Sequence, residues 1–481
     1  MFLDCEKRFW LSLHREDLRP PLDADAQMRF ETGRRIGKLA QRMFPGGRLG
    51  ASGPDVIEVT RENMALLAEG HTLFEATFSD GYLHMRADIV VPENGGVTLI
   101  EVKSGTKPDK PEYNTELGFQ YHLLRRIGVP VTAAKVLHLN PNFRSAREAT
   151  SDDDWPLDEL LTLTDRTHAV AEGQFAMGME RAVAKAAEPE PDPKFTHECR
   201  GCDYGDYCTV DEPPGAIWRM AGLKGNQIEK LNLLGYRTVH DLPTLEDLPA
   251  QNQLQARAIR EEIDVTARQF VERLRSLGFC IGFVDFEGVM HALPRYQGHK
   301  PYENLPFQWS LHRMRHYDDD APEHFEYLHE DQSDPSAAFT ATLLEAVQGC
   351  ETLVFYSGYE TQMVSNLVKR GVPHADELLR LFSTRGYDLY AAIRKSCYWR
   401  SFGSSLSIKS VLPAVAPGVS YDGLAVKNGA EAVAQYVRMT SPETPESERR
   451  AIADALREYC ALDTMAMVHV YRGLRDATPT D

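Results

Sequence analysis

The chain has little of what several protein classes require. No apolar run approaches the roughly 18–20 residues that cross a bilayer as a helix, which excludes a helical membrane protein. Cysteine is sparse, eight in 481 residues. The opening Met1-Phe-Leu-Asp-Cys-Glu-Lys-Arg has no signal-peptide shape. A cytoplasmic location is therefore expected, and a disulfide framework is not. Positive charge is also short: 53 Lys and Arg stand against 71 Asp and Glu, a formal net charge of −18. That argues against a protein that grips nucleic acid by bulk positive charge, so such a partner would need local cations or metal ions. Internal repeats and low-complexity tracts are missing, which excludes solenoids and disordered chains. What is there is ordinary: 42% hydrophobic and 26% charged residues, as in folded soluble proteins. At roughly 100–200 residues per domain the length suits two to four domains.

Residues 1–50 read as helical, and with ten Lys/Arg against seven Asp/Glu they oppose the overall charge. Runs from His71 to Phe78, Gly81 to Val91 and Val97 to Val102 read as strands, the last two joined by a hairpin turn at Glu93-Asn-Gly-Gly96. A helix over 115–127, a strand from Val131 to Leu139 and helical character over 157–187 follow. Glu188-Pro-Glu-Pro-Asp-Pro193 then breaks the chain. Residues 215–275 read as a small helical segment. Within it, Leu231-Asn-Leu-Leu-Gly-Tyr-Arg-Thr-Val-His-Asp-Leu242 reads as a helix-hairpin-helix unit offering N–H groups to phosphate, or as a plain helical linker. Buried strands are expected from Phe279 to Phe286 and Thr352 to Tyr356, and a closing helix over 446–475. The expected architecture is α/β multidomain, divided 1–212, 213–275 and 276–481.

Three constellations carry chemistry. In the first, Glu101 and Lys103 of Ile100-Glu-Val-Lys103 share a strand face, and the hairpin brings Asp88 beside them. Two carboxylates on one face can hold a hard divalent ion, which polarises phosphate and acidifies a bound water; a lysine can stabilise the charged transition state. The plain alternative is a cross-strand ion pair, but the apolar neighbours Ile89, Val90, Val91, Leu99 and Ile100 make both arms look buried. Ala87-Asp-Ile-Val-Val, a turn and Thr98-Leu-Ile-Glu-Val-Lys-Ser resemble the core of the PD-(D/E)XK nuclease superfamily, in its RecB-like branch. The resemblance implies a restriction-endonuclease-like fold and catalytic roles for Asp88, Glu101, Lys103 and Gln120, the last matching that branch's glutamine. Glu75 is a further candidate acid. The branch's tyrosine position is Leu124 here, with Tyr121 nearby, and Gly37 stands where many members carry a metal-binding histidine.

The second constellation is Cys199-x2-Cys202-x5-Cys208. Three thiols in one loop plus a fourth ligand fit zinc, with His197 as the fourth, or an iron–sulfur cluster with a distant cysteine. Unconnected thiols are the plain alternative. With Cys5, the set resembles the iron–sulfur RecB-like exonucleases of CRISPR adaptation and of bacterial recombination complexes. That resemblance covers residues 1–210 and implies a structural 4Fe–4S cluster on Cys5, Cys199, Cys202 and Cys208. Residues usually precede the first of these cysteines, which points to a start upstream. The remaining Cys280, Cys350, Cys397 and Cys460 are expected to be buried.

The third constellation is acidic. Asp285 and Glu287 end one expected strand, Glu360 follows another, and Tyr459 and Asp463 share one side of the closing helix. Four acids from separate elements can clamp two divalent ions; an acid-rich surface is the alternative. The order Asp-x-Glu, second acid, Tyr-x-x-x-Asp resembles the DEDD exonuclease branch of the RNase H-like fold, although its second acid is usually Asp. The wider 279–475 region resembles an uncharacterised bacterial domain fused to RecB-like nucleases, through Pro306-Phe-Gln-Trp-Ser-Leu-His312, Tyr387-Asp-Leu389, Gly403 to Pro413 and Tyr459-Cys460. Asp388 is an additional candidate acid, and Lys409 reads as a phosphate contact or a surface lysine.

Together these resemblances imply a nuclease using Mg²⁺ or Mn²⁺ on DNA, single strands or ends favoured, in repair or phage defence. The alternatives are RNA processing by the C-terminal domain alone, as a 3′–5′ exonuclease, and a non-catalytic nucleic-acid-binding scaffold with protein partners in a defence or repair complex.

Overall fold

The computed structural model describes residues 5–148, 151–213 and 215–480. It is mixed α/β and divides into two compact units, one of residues 1–194 with 290–303, the other of residues 195–289 with 304–481. Both expected boundaries, after 212 and after 275, fall within the second unit. None of the described helices is long and apolar enough to cross a membrane.

The first unit is built on six strands: β1 (Arg48–Leu49), β2 (Leu73–Ser79), β3 (His84–Glu93), β4 (Gly96–Lys103), β5 (Val131–Leu139) and β6 (Leu161–Asp165), which lie in the sheet in chain order. β2, β3 and β4 form an antiparallel meander, and β4 pairs parallel with β5. The turn between β3 and β4 places Gly95 at φ 93, a conformation glycine adopts without steric cost. β4 is buried on both faces, as a parallel strand must be: Leu99 packs with Leu117, Leu124 and Val136, and Ile100 with Ile36, Leu39 and Leu137. The helix Ala24–Arg42 covers the second face, capped where Asp23 accepts the Ala26 amide at 2.7 Å.

The expected helical stretch 157–187 is interrupted. Leu161-Thr-Leu-Thr-Asp165 forms β6, antiparallel to β5, and the long helix begins only at Gly173. The alternation and β-branched threonines of this stretch suit an edge strand once β5 supplies a partner.

The second unit contains β7 (Val265–Thr266), β8 (Ile281–Met290), β9 (Asn304–Met314), β10 (Glu323–Leu328), β11 (Thr352–Phe355), β12 (Gly386–Asp388) and β13 (Cys397–Tyr398). Five make one sheet in the order β10-β9-β8-β11-β12, with β8, β11 and β12 parallel, and β7 pairs with β13. Alternation along β8 sends Ile281 and Phe283 into a core with Met467 and Tyr471 of the helix Glu446–Arg475. Val284 and Phe286 point into the opposite core, with Phe339, Leu353 and Val364. Asp285 and Glu287 continue the first series, toward the face where the closing helix lies. Residues 216–256 hold their own small core around Ile217, Trp218, Ile228 and Val239.

β9 is the element the sequence pattern conceals. Pro306 argues against a strand inside a sheet, and Gln308, Ser310 and His312 argue against burial. All three are nevertheless buried on one face and hydrogen-bonded. Pro306 lies near the strand's start, where its missing N–H is tolerated.

Candidate metal centres

In the second unit, carboxylate oxygens from Asp285, Glu287 and Asp463 lie within 4.8 Å of one another. Among the described residues no other trio of His, Cys, Asp or Glu converges this closely. Glu360, in the first turn of the helix Tyr359–Lys369, lines the same cavity of about 340 Å³, beside Tyr459 and Lys409. The positive end of that helix favours a carboxylate there. The structure thus brings together all five expected residues of the third constellation.

Burial dominates the electrostatics of these acids. It pushes Asp285 well above the carboxylate range, with Asp463 and Glu360 adding repulsion. Glu287 is pushed up to about 8 by burial and by Asp463. Glu360 also rises to about 8, chiefly through burial. Burial raises Asp463 too, against hydrogen bonds from Tyr421 and Tyr459 and the charge of Lys409.

Three neighbours complete the site. The Tyr421 hydroxyl donates to Asp463 Oδ1 at 2.5 Å. Lys409 Nζ lies 4.8 Å from the Tyr421 ring centroid and 5.2 Å from that of Tyr459. Cys460 Sγ sits 3.8 Å from Asp285 Oδ2. Tyr421 carried no sequence signal, because it comes from a loop outside every motif and 42 residues before Asp463. Asp388 turns out to cap the helix Leu389–Ser396, accepting from the Ala391 amide at 2.8 Å, while its charge helps raise Glu360.

In the first unit the expected group also assembles. Lys103 Nζ lies 2.9 Å from Glu101 Oε1, and Gln120 Nε2 donates to Glu101 Oε2 at 2.7 Å. Asp88 Oδ2 accepts from the Val102 amide at 2.7 Å. Glu116, which the sequence did not single out, also pairs with Lys103. Asp88 is pushed up to about 8 by burial and then by Glu101, with Glu75 adding repulsion. Burial raises Glu101 as well, against Lys103. Glu75 has φ 51 and pairs with Arg86 at 3.0 Å. Tyr121 and Leu124 pack in the core.

Cys5, in the first unit, caps the helix Glu6–His14, its Sγ accepting from the Arg8 amide at 3.3 Å. In the second unit Cys199 lies in the turn His197–Gly201, Cys202 follows it, and Cys208 ends the short helix Gly205–Cys208. His197, the zinc alternative, pairs with Glu198 at 3.0 Å and packs its ring against Gly225, where a Cβ would come within 2.4 Å of Nδ1. Cys350, Cys397 and Cys460 are buried as expected, but Cys280 is partly exposed because it precedes β8.

A family profile described as a domain of unknown function (DUF2779) matches residues 282–407. The match takes in Asp285, Glu287 and Glu360 and stops before Lys409, Tyr459 and Asp463. No curated protein matches the chain. A solved structure titled "Crystal structure of SSO0001" is 13% identical over 41% of this chain and 84% of its own, with a TM-score of 0.18, too low to show a shared fold.

Proposed function

We propose that the chain is a metal-dependent nuclease that hydrolyses phosphodiester bonds of DNA, favouring single strands or ends. One observation carries the reading: the convergence of Asp285, Glu287 and Asp463 within 4.8 Å. In this reading the second unit is an RNase H-like domain of the DEDD exonuclease kind. The Asp-x-Glu pair on the sheet's middle strand, Glu360 after its neighbour and Tyr459 with Asp463 on the last helix support it. The first unit is a restriction-endonuclease-like domain of the RecB-like kind, supported by the contacts joining Glu101 to Lys103 and Gln120.

A donor set made only of carboxylates fits Mg²⁺ or Mn²⁺. Asp285, Glu287, Glu360 and Asp463 would hold the ions in the second unit, and Asp88 and Glu101 in the first. Such an ion supplies an acidified water and charge neutralisation at phosphate. Tyr459, bonded to Asp463, orients the attacking water. Lys409, on the cavity wall, holds a phosphate oxygen, and Lys103 stabilises negative charge in the first site. Cys5, Cys199, Cys202 and Cys208 are assigned to a 4Fe–4S cluster on the resemblance to the iron–sulfur RecB-like exonucleases alone. Protein purified without oxygen should then be brown, absorb near ~400 nm and contain iron; stoichiometric zinc without iron would overturn the assignment.

Cleavage of labelled DNA and RNA by single variants tests the nuclease reading. Asp285→Asn or Asp463→Asn should abolish one activity, and Glu101→Gln or Lys103→Met another. A protein carrying all four substitutions that degrades both nucleic acids like the parent would sink it. A second reading has its own support: both Glu101 oxygens and one Asp88 oxygen already have partners within the first unit. There only the second unit cuts, on RNA, so Asp463→Asn removes all cleavage and Lys103→Met none.

A further inference from the structure

The second unit contains another cavity, of about 620 Å³, that no part of the nuclease reading uses. Its walls come from 213–262 on one side and 398–404 on the other. That volume lies within the ~300–1,000 Å³ of small-molecule sites. Its chemistry runs against the rest of the chain. The formal net charge is −18, yet this cavity is lined by Arg219, Arg400 and His240 against one carboxylate, Glu262.

The two guanidiniums are placed differently. Arg219 stacks over Trp218, its Cζ 5.1 Å from the ring centroid, and donates to the Thr209 carbonyl at 3.0 Å. Those contacts fix the plane of its fork. Arg400 is exposed, and among the described residues only its backbone is tethered, the amide donating to Asp264 Oδ1 at 2.8 Å. No carboxylate lies within ion-pair distance of either guanidinium among the described residues. The lining includes a hydrogen-bonded polar pair. Buried Gln255 donates to the Tyr398 hydroxyl at 3.2 Å, and that hydroxyl donates to the Gly403 carbonyl at 2.7 Å. Gly403 has φ 69, and Ser404 adds a hydroxyl to the rim. A fixed guanidinium, a second one without an acid and a hydroxyl rim make a receptor for a tetrahedral dianion, since guanidinium forks match phosphate oxygens in pairs.

We propose that this cavity binds a phosphate group, carried by a free nucleotide or by a nucleic-acid strand. Titration calorimetry on the full chain in divalent-free buffer tests it, with inorganic phosphate, ATP and an oligonucleotide lacking a terminal phosphate as separate probes. Omitting divalent ions keeps both metal centres silent, so this result and the nuclease reading stand or fall separately. At least one probe should bind, and Arg400→Glu should weaken it about tenfold or more. Arg400 is exposed, so this variant should melt like the parent. Arg219→Gln should also weaken binding, and Arg400→Lys should retain part of it. ATP binding without oligonucleotide binding identifies a small ligand; the reverse identifies a strand. No binding by the parent, or equal binding by parent and Arg400→Glu, overturns the proposal.

Discussion

Lys409 shows how one side chain changes the character of a site. Among the described residues lining the acidic cavity it is the only cation, set between two tyrosine rings. Its charge opposes the burial that raises Glu287 and Asp463. If Lys409 holds a phosphate oxygen, Lys409→Met should cut the rate of Mn²⁺-dependent cleavage about 10²-fold, the usual effect of removing one such donor. Lys409→Arg should recover part of that loss. Steady-state kinetics with a parallel Mn²⁺ titration checks this. Unchanged cleavage with tighter Mn²⁺ binding would show a counter-ion and nothing more.

At the scale of elements, a polar ladder ties the closing helix to β9 beside its apolar packing. Gln308 Nε2 donates to the Leu456 carbonyl at 2.9 Å, and Ser310 Oγ and His312 Nδ1 lie 2.8 and 2.7 Å from Thr464 Oγ1. Thr464 is the neighbour of Asp463, so the ladder fixes the turn that presents the acid. Thr464→Val keeps the shape and takes from buried His312 Nδ1 its hydroxyl partner, while Ser310 keeps His324 Nε2 at 2.9 Å. It should destabilise the protein by about 1–3 kcal/mol, read as a lower urea midpoint. It should also slow cleavage by displacing Asp463.

For the whole molecule, pH is the lever. Asp88, Glu287 and Glu360 each rise to about 8 when buried without a cation. A carboxylate whose folded pKa is raised contributes stability below its unfolded pKa and loses it as pH climbs through the folded value. The melting temperature of metal-free protein should therefore fall as pH rises from about 6 to about 9. Mn²⁺ should raise it more at the alkaline end, where ions no longer compete with protons. A flat profile, or equal Mn²⁺ shifts at both ends, would contradict these burial effects. The acidic surplus acquires a local meaning here, because Asp285, Glu287 and Asp463 converge within 4.8 Å of one another.

Much of this was legible in the sequence, for identifiable reasons. Local rules located β5 and the helix Glu446–Arg475, since a dense apolar run and a long amphipathic period leave few alternatives. Motif order likewise named Asp285, Glu287, Glu360, Tyr459 and Asp463 before any geometry placed them together. Three features belong to tertiary structure alone. β9 buries Gln308, Ser310 and His312, whose partners Leu456, Thr464 and His324 come from the closing helix and from β10. Tyr421 reaches Asp463 from a loop 42 residues away in sequence. The acids' shifts depend on exclusion of water, which no linear pattern records. Residue types and short-range periodicity determined which groups the chain has to offer; only folding decided which of them meet, and in how little water.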